Sequence, residues 1–239
     1  MADDDFDVAE LAAYLHMMPA QIAKLAERGT MPARRVGGQW RFSRPEVVHW
    51  LEQRIGLSDD DELAAMENRL EGRNPPEAAS IAFDALCPVE AVAVPLAART
   101  RGKAIAAMCE LAASTGRLWD AGKMADAVAA RESLHSTALE CGVALLHPRR
   151  PLSGLLGEAV LALGVTSQGI PFGGGGGLTD VFFLICATSD HEHLRILARL
   201  SRILTDLSWI AQLRSATDAA AAHRLLIDRD AALGVSGSS

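Results

Sequence analysis

The stretch that decides the fold runs Arg131-Glu132-Ser133-Leu134-His135-Ser136-Thr137-Ala138-Leu139-Glu140-Cys141-Gly142-Val143-Ala144-Leu145-Leu146-His147-Pro148-Arg149. A helical run up to about Ser136 gives way to a short apolar strand, Gly142 to Leu146, and the strand stops on a histidine followed by proline. Proline cannot donate to a β-ladder and pushes the residue before it out of the helical region. His147 is therefore expected at a strand end, where side chains are presented rather than packed. Arg149 and Arg150 follow it and Arg131 lies upstream. A neutral imidazole among guanidinium groups suits a phosphoryl group, because arginine offers planar, bidentate donors to phosphate oxygens. Taken alone, a histidine at a strand end is an ordinary polar site. The case rests on the company it keeps.

A second segment supplies that company. It reads Asp180-Val181-Phe182-Phe183-Leu184-Ile185-Cys186-Ala187, then His193-Leu194-Arg195-Ile196-Leu197-Ala198-Arg199-Leu200, a buried-strand pattern followed by a helix with histidine near its start. Together the two segments resemble the enzyme IIA domains of the bacterial phosphotransferase system, in the mannitol/fructose and nitrogen-regulatory branch. The likeness runs from about Pro88 to Leu233, with Leu146 standing where the family has proline or another small residue. It implies that His147 is phosphorylated by the histidine phosphocarrier protein, that His193 supports it from a helix start, and that Arg131 clamps the phosphate. Glu132 is then expected to tie down Arg131 or a partner arginine, and Ser136 or Thr137 to donate one more hydrogen bond. Such a reaction needs an unprotonated ring nitrogen in line with phosphorus, and donors for the equatorial oxygens. No cofactor is expected, the phosphoryl group coming ultimately from phosphoenolpyruvate.

The other end of the chain reads differently. Asp7 to Leu15 has Val8, Leu11, Ala12 and Leu15 at helical spacing. Pro19 opens a second helix, Ala20 to Arg28, and Gly29 stops it. Gly37-Gly38 is a favoured two-residue hairpin turn inside Met31 to Phe42, and Arg44-Pro45-Glu46 starts a third helix. Helix, turn, helix, hairpin, helix is the layout of a small winged helix-turn-helix. The run Ala33-Arg34-Arg35-Val36-Gly37-Gly38-Gln39-Trp40-Arg41-Phe42 resembles the excisionase/MerR-type DNA-binding domain. Between Lys24 and Arg44 six basic residues (Lys24, Arg28, Arg34, Arg35, Arg41, Arg44) meet one acid, Glu27, in a protein of net charge −7. A basic face of this kind is the footprint of phosphate contact. Gln21 and Lys24 fall on the helix expected in the major groove, while Arg35, Gln39 and Arg41 fall on the wing. DNA is thus one expected partner. A homodimer is another, because so small a module binds weakly alone.

Between these ends, Leu57 to Gly72 reads as a helix capped at Ser58, with Leu63, Met66 and Leu70 in an apolar stripe. It serves either as a packed linker or as a dimer-forming helix. Arg73-Asn74-Pro75-Pro76 breaks it. The expected organisation is residues 1–55 for DNA binding, 56–84 as linker, 85–233 as the IIA-like domain and 234–239 as a disordered tail. Ser80 to Leu86 is a candidate docking segment. Within the IIA-like domain the patterns give an edge strand over Val89 to Leu96 and helices over Lys103 to Ala113 and Ala121 to Ser136. Strands over Gly142 to Leu146, Glu158 to Val165 and Thr179 to Ala187 follow, then helices over Glu192 to Leu204 and Trp209 to Leu226. Interleaved strands and helices make this an α/β domain (α+β for the whole chain), a mixed sheet with helices on both faces.

Composition excludes several classes. The chain has 239 residues, 49% hydrophobic and 5% aromatic, so its core is built of Ala, Leu and Val. The net charge of −7 argues against a general polyanion binder. Apolar runs such as Val181 to Ala187 are too short to span a bilayer. The acidic start, Met1-Ala2-Asp3-Asp4-Asp5, is not a signal peptide, and the expected location is the cytoplasm. Cys87, Cys109, Cys141 and Cys186 show no Cys-x-x-Cys spacing and read as reduced, buried thiols. No metal is expected: His147, His191 and His193 lack a fourth ligand at a useful spacing. Gly173 to Gly177 lacks the Gly-Lys-Ser/Thr of a P-loop and reads as a flexible connection. His16, His49, His135 and His223 have no partner legible in sequence, and Asp3 to Asp5 and Asp59 to Asp61 read as solvated charge. Two functional readings remain. One is a phosphotransferase-system regulator phosphorylated on histidine and coupled to DNA. The other is a DNA-binding regulator whose IIA-like domain senses without taking phosphate.

Overall fold

Asp7 opens the first helix of the N-terminal unit with a reciprocal cap. Its carboxylate accepts the Glu10 N–H at 2.8 Å, and the Glu10 carboxylate accepts the Asp7 N–H at 2.8 Å. In this computed structural model residues 5–57, 82–173 and 177–236 are described, and the chain divides into two units between Ser80 and Ile81. The predicted helix over Leu57 to Gly72 and the Pro75-Pro76 break lie outside the described residues, apart from Leu57 itself.

The N-terminal unit contains β1 (Asp5–Phe6), α1 (Val8–Tyr14), α2 (Pro19–Glu27), β2 (Arg34–Val36), β3 (Gln39–Ser43) and α3 (Arg44–Leu57). Pro19 stands in the first turn of α2, where no N–H is needed. Gly37 (φ 59°) and Gly38 (φ 81°) both take the positive φ that a tight hairpin turn demands, which sets the register Arg34↔Arg41, Arg35↔Trp40, Val36↔Gln39. β1 was not legible in sequence, because two residues, Asp5-Phe6, at the end of an acidic run are too short to carry a strand signal. It is made by tertiary pairing: Phe6 sits opposite Phe42 in the register and is buried with it. Leu11, Ile22, Phe42, Val47 and Ile55 fill the core.

The C-terminal unit contains α4 (Phe83–Leu86), a 3-10 turn (Val89–Ala91), β4 (Val92–Ala93), α5 (Arg101–Ser114), α6 (Ala121–Leu134) and β5 (Val143–Leu146). A second 3-10 turn (Ser153–Leu155), β6 (Val160–Pro171), β7 (Leu178–Cys186), α7 (Asp190–Leu204), α8 (Leu207–Arg214) and α9 (Ala219–Ser236) follow. The sheet order is β4-β6-β7-β5. β6 and β7 form an antiparallel hairpin, and β4 and β5 join its two sides in parallel. Every residue of β5, and Val181 to Cys186 of β7, is buried, so both faces of the sheet are covered. On one face α5 comes so close that a Cβ at Gly164 would lie 2.6 Å from Met108 Sδ.

Several boundaries differ from the sequence expectation. The edge strand shrinks to two residues, Val92–Ala93, because a 3-10 turn occupies Val89–Ala91. β6 continues past Val165 to Pro171 through an irregularity at the polar Thr166-Ser167-Gln168, where the Thr166 hydroxyl donates to the carbonyls of Gln168 (2.9 Å) and Asp180 (3.2 Å). The single helix expected over Trp209 to Leu226 is two. Asp206 caps α8 by accepting from Ser208 N and Trp209 N, and Asp218 accepts from Ala221 N at the start of α9. α9 runs through Ser236, so residues 234–236, expected in a disordered tail, are helical.

The candidate docking segment is anchored at α4. Phe83 is fully buried and its N–H donates to the Asp230 carboxylate at 3.0 Å. Asp230 also holds Arg199 at 2.7 Å, a buried ion pair joining α7 to α9. All four cysteines are free; Cys141 is half-buried and the others buried. Burial pushes the Cys87 and Cys109 thiols up to about 12 and that of Cys186 higher still, so none of these three is a thiolate at neutral pH.

Candidate functional site

Leu145 is the hinge of the C-terminal site. β5 leaves the sheet edge on its far side from β7, and residues 137–139 cover that edge: Leu145 N–H donates to Thr137 O (3.3 Å) and Leu139 N–H to Val143 O (2.7 Å). The N–H and C=O of one strand residue point the same way. The Leu145 carbonyl therefore also faces this side, and there it meets His147 Nδ1 at 2.8 Å. A carbonyl can only accept, so Nδ1 carries the proton and the neutral ring keeps its lone pair on Nε2. Contrary to the expectation of a presented side chain, His147 is only 2% exposed, with its ring turned back on its own strand and against His193. The two imidazoles lie 4.8 Å apart between ring centroids, inclined at 48°.

His193 reaches that position from the first turns of α7. Ser189 caps this helix by accepting the Glu192 N–H at 3.2 Å, and Glu192 accepts from Thr188 N (2.7 Å) and the Thr188 hydroxyl (2.8 Å). The N–H groups of a helix start can meet an anion. The structure commits the Glu192 N–H to the cap and places Asp190 and Glu192 in the first turn, which weakens that offer.

Arg131 and Glu132 are buried in the last turn of α6, which ends at Leu134 rather than Ser136 because His135 is extended. Arg131 Nη1 donates to the His135 carbonyl at 2.9 Å. Glu132 holds a partner arginine, Arg101, at 3.5 Å, and accepts both the N–H of Thr137 (2.9 Å) and its hydroxyl. Of the two hydroxyls expected to donate, Ser136 or Thr137, that of Thr137 is committed to Glu132. Ser136 is exposed, and its oxygen accepts the Ala138 N–H at 3.2 Å. Arg149 and Arg150 are exposed beyond the strand end. Sequence reasoning missed Arg101, whose guanidinium lies 5.5 Å from the Phe172 ring centroid, with Phe172 edge-on to Phe182. Thr100, which caps the Arg101 helix, was the only local sign of it. His223, which had no legible partner, has its Nε2 2.8 Å from the Cys87 carbonyl.

On the N-terminal unit the predicted contact residues divide. Gln21, Lys24, Arg28, Arg34, Arg35 and Gln39 are exposed, and Arg41 and Arg44 half-buried. The Gln21 side-chain carbonyl accepts the Met18 N–H at 3.0 Å, which ties it to its own helix start. Asp5, expected to be solvated charge, pairs with Arg34, while Asp7 lies 4.0 Å from Arg41. Arg35 stacks on Trp40 at 4.6 Å, and Arg44 on Phe6 at 4.3 Å. Among the described residues no acid pairs with Lys24, Arg28 or Arg35.

A strand-end histidine whose Nδ1 is held by a carbonyl thus lies beside a second histidine from a helix start, on a four-stranded mixed sheet. The chain belongs to the family described as phosphoenolpyruvate-dependent sugar phosphotransferase system, EIIA 2, whose model matches residues 85–229. A helix-turn-helix domain model matches residues 6–55. Solved structures with this fold include enzyme IIA mannitol from Escherichia coli, at 22% identity and TM-score 0.51 over 57% of this chain and 96% of that one. The nitrogen regulatory protein IIA-Ntr from Neisseria meningitidis is similar at 21% identity and TM-score 0.53, over 59% and 97%. No curated protein matches the chain. Among the described residues no helix is long and apolar enough to cross a membrane.

Proposed function

We propose that this chain is a cytoplasmic regulator in which the histidine phosphocarrier protein phosphorylates His147 on Nε2, and in which the helix-turn-helix domain binds DNA. The observation that carries the reading is the 2.8 Å contact of His147 Nδ1 with the Leu145 carbonyl, with His193 alongside. In the step, the P–N bond of the donor's phosphohistidine breaks as the Nε2–P bond forms. The donor ring leaves with its electron pair, and the proton stays on His147 Nδ1, donated to the Leu145 carbonyl. His193 and Arg131 are assigned the transferred oxygens, and Ser136 a further hydrogen bond. Residues 1–55 are the DNA-binding module, 56–84 the connection and 85–233 the phosphoryl-accepting domain. Pairing into a homodimer supplies affinity that one small module lacks. Phosphohistidine adds close to two negative charges, and that charge is the signal that DNA binding reads.

Incubation with phosphoenolpyruvate, enzyme I and the phosphocarrier protein tests this directly. Acid-labile label on the wild type and none on His147→Ala is the expected result. Absence of label on the wild type overturns it. The second reading, a sensing module that takes no phosphate, draws support from Asp190 and Glu192 beside His193 and from the Thr137 hydroxyl committed to Glu132. The same labelling decides between them.

A further inference from the structure

We infer that Glu132 is a positioning residue for His147, acting through Thr137 and the backbone of Leu145 to hold the histidine in its Nδ1–H tautomer. Four contacts in series carry this. Arg101, turned by its stack on Phe172, lies 3.5 Å from one oxygen of Glu132. The other oxygen takes the N–H and hydroxyl of Thr137. The Thr137 carbonyl accepts the Leu145 N–H at 3.3 Å. The Leu145 carbonyl accepts from His147 Nδ1 at 2.8 Å. Residues 137–139 reach β5 from a helix that ends at Leu134, with an isolated bridge at Ala138↔Ala144 and no strand of their own. Glu132, 2% exposed, is what ties the start of that segment to the helix that precedes it.

If the tie is cut, the segment loosens, the backbone of Leu145 can shift, and its carbonyl no longer selects one ring nitrogen. The tautomer is set by whichever hydrogen bond the other nitrogen makes. A ring with its proton on Nε2 offers no lone pair at the atom that must attack. Glu132 and Arg131 are adjacent, yet their tasks differ: Arg131 holds the His135 carbonyl, while Glu132 holds the next turn of chain. The transfer role of His147 enters only in the rate measurement; the tautomer claim stands without it.

The test uses the full chain with 15N-labelled histidine, read by long-range 15N–1H correlation above the ordinary histidine titration range, together with single-turnover phosphotransfer from the phosphocarrier protein. Wild type is expected as one His147 tautomer, protonated on Nδ1. Glu132→Ala is expected to show a mixture and a transfer rate about tenfold lower at saturating donor, the loss of roughly one buried hydrogen bond, with the donor KM unchanged. Glu132→Gln, whose amide oxygen can still accept from Thr137, is expected to restore the single tautomer. Thr137→Val, which keeps the N–H donor and removes the hydroxyl, is expected between the two and serves if Glu132→Ala does not fold. A single unchanged tautomer in both Glu132→Ala and Thr137→Val overturns the inference, as does Glu132→Gln behaving like Glu132→Ala. If wild type takes no phosphate but the tautomer shifts as described, the transfer reading falls and the positioning role stands.

Discussion

The salt dependence of DNA binding is where the N-terminal unit makes its sharpest prediction. Six basic residues between Lys24 and Arg44 would, if each met a phosphate, give a slope of about −5.4 in log K against log salt, at about −0.9 per contact on B-DNA. The structure removes three from that count. Arg34 is paired with Asp5, Arg41 lies within reach of Asp7, and Arg44 is half-buried against Phe6 and Tyr14, whereas Arg35, though stacked on Trp40, is exposed. Lys24, Arg28 and Arg35 remain, for a slope of about −2.7 per bound chain. Asp5→Asn removes the charge beside Arg34 without touching β1 pairing through Phe6. It should steepen the slope to about −3.6 and tighten binding at 0.1 M salt by up to about eightfold. The exposed Arg34–Asp5 pair is itself worth little in stability, so the unit should fold unchanged. Fluorescence anisotropy on a duplex at four salt concentrations measures both numbers. A wild-type slope near −5.4 would show that the acid pairs do not matter (all six cations release counterions). No change in Asp5→Asn would refute the argument equally.

Three further outcomes follow from the C-terminal unit. Asp230→Ala strips Arg199 of a buried carboxylate and Phe83 N–H of its acceptor, and should cost about 3 kcal/mol in urea denaturation, as breaking a buried ion pair does; a loss under about 1 kcal/mol would mean the pair is easily replaced by water. With a thiol reagent at pH 8, half-buried Cys141 should react well before Cys87 and Cys109, whose thiols are held up at about 12 by burial; equal rates in the folded protein would contradict this. Asp120, Asp206 and Asp218 cap helices, and backbone or hydroxyl hydrogen bonds lower each carboxyl below its ordinary value. Their contribution is therefore full above the unfolded carboxylate range and is lost as pH falls through the lower folded values. Replacing all three with asparagine should flatten the acid limb of the melting-temperature profile; an unaltered limb would assign acid unfolding to other groups.

What was legible in the sequence was whatever the chain says locally. Gly37-Gly38 declared the hairpin because only positive φ serves that turn, and Pro148 declared the end of β5 because it has no N–H to give. The continuous apolar reading of Val181 to Cys186 announced a strand buried on both faces. The losses were tertiary. β1 exists because β3 offers it an edge, not because Asp5-Phe6 favours a strand. The break between α8 and α9 turned on Asp218, a cap that also passes for one more surface acid. Arg101 could not be found from its own neighbourhood, since its partner Glu132 lies on the following helix. The same limit covers Thr137, whose acceptor Glu132 could not be read from the chain.

The adjacent pair Arg131-Glu132 shows how one helix end can hold two points of the chain that follows it. Neighbouring helical positions point about 100° apart, so two consecutive charges in a final turn cannot serve one target. At this helix end the cation turns to the His135 carbonyl and the anion to Thr137 and Arg101. Between them they hold both ends of the short segment that leads onto β5, one at its first residue and one two residues later. Opposite charges are needed for that division, because a carbonyl must be met by a donor and an N–H by an acceptor. Exchanging them, Arg131→Glu with Glu132→Arg, keeps composition and net charge and breaks both contacts. The double exchange should therefore cost more His147 tautomer purity than either alanine variant alone. A double variant that kept the wild-type tautomer would show that the charges act only through the field they create.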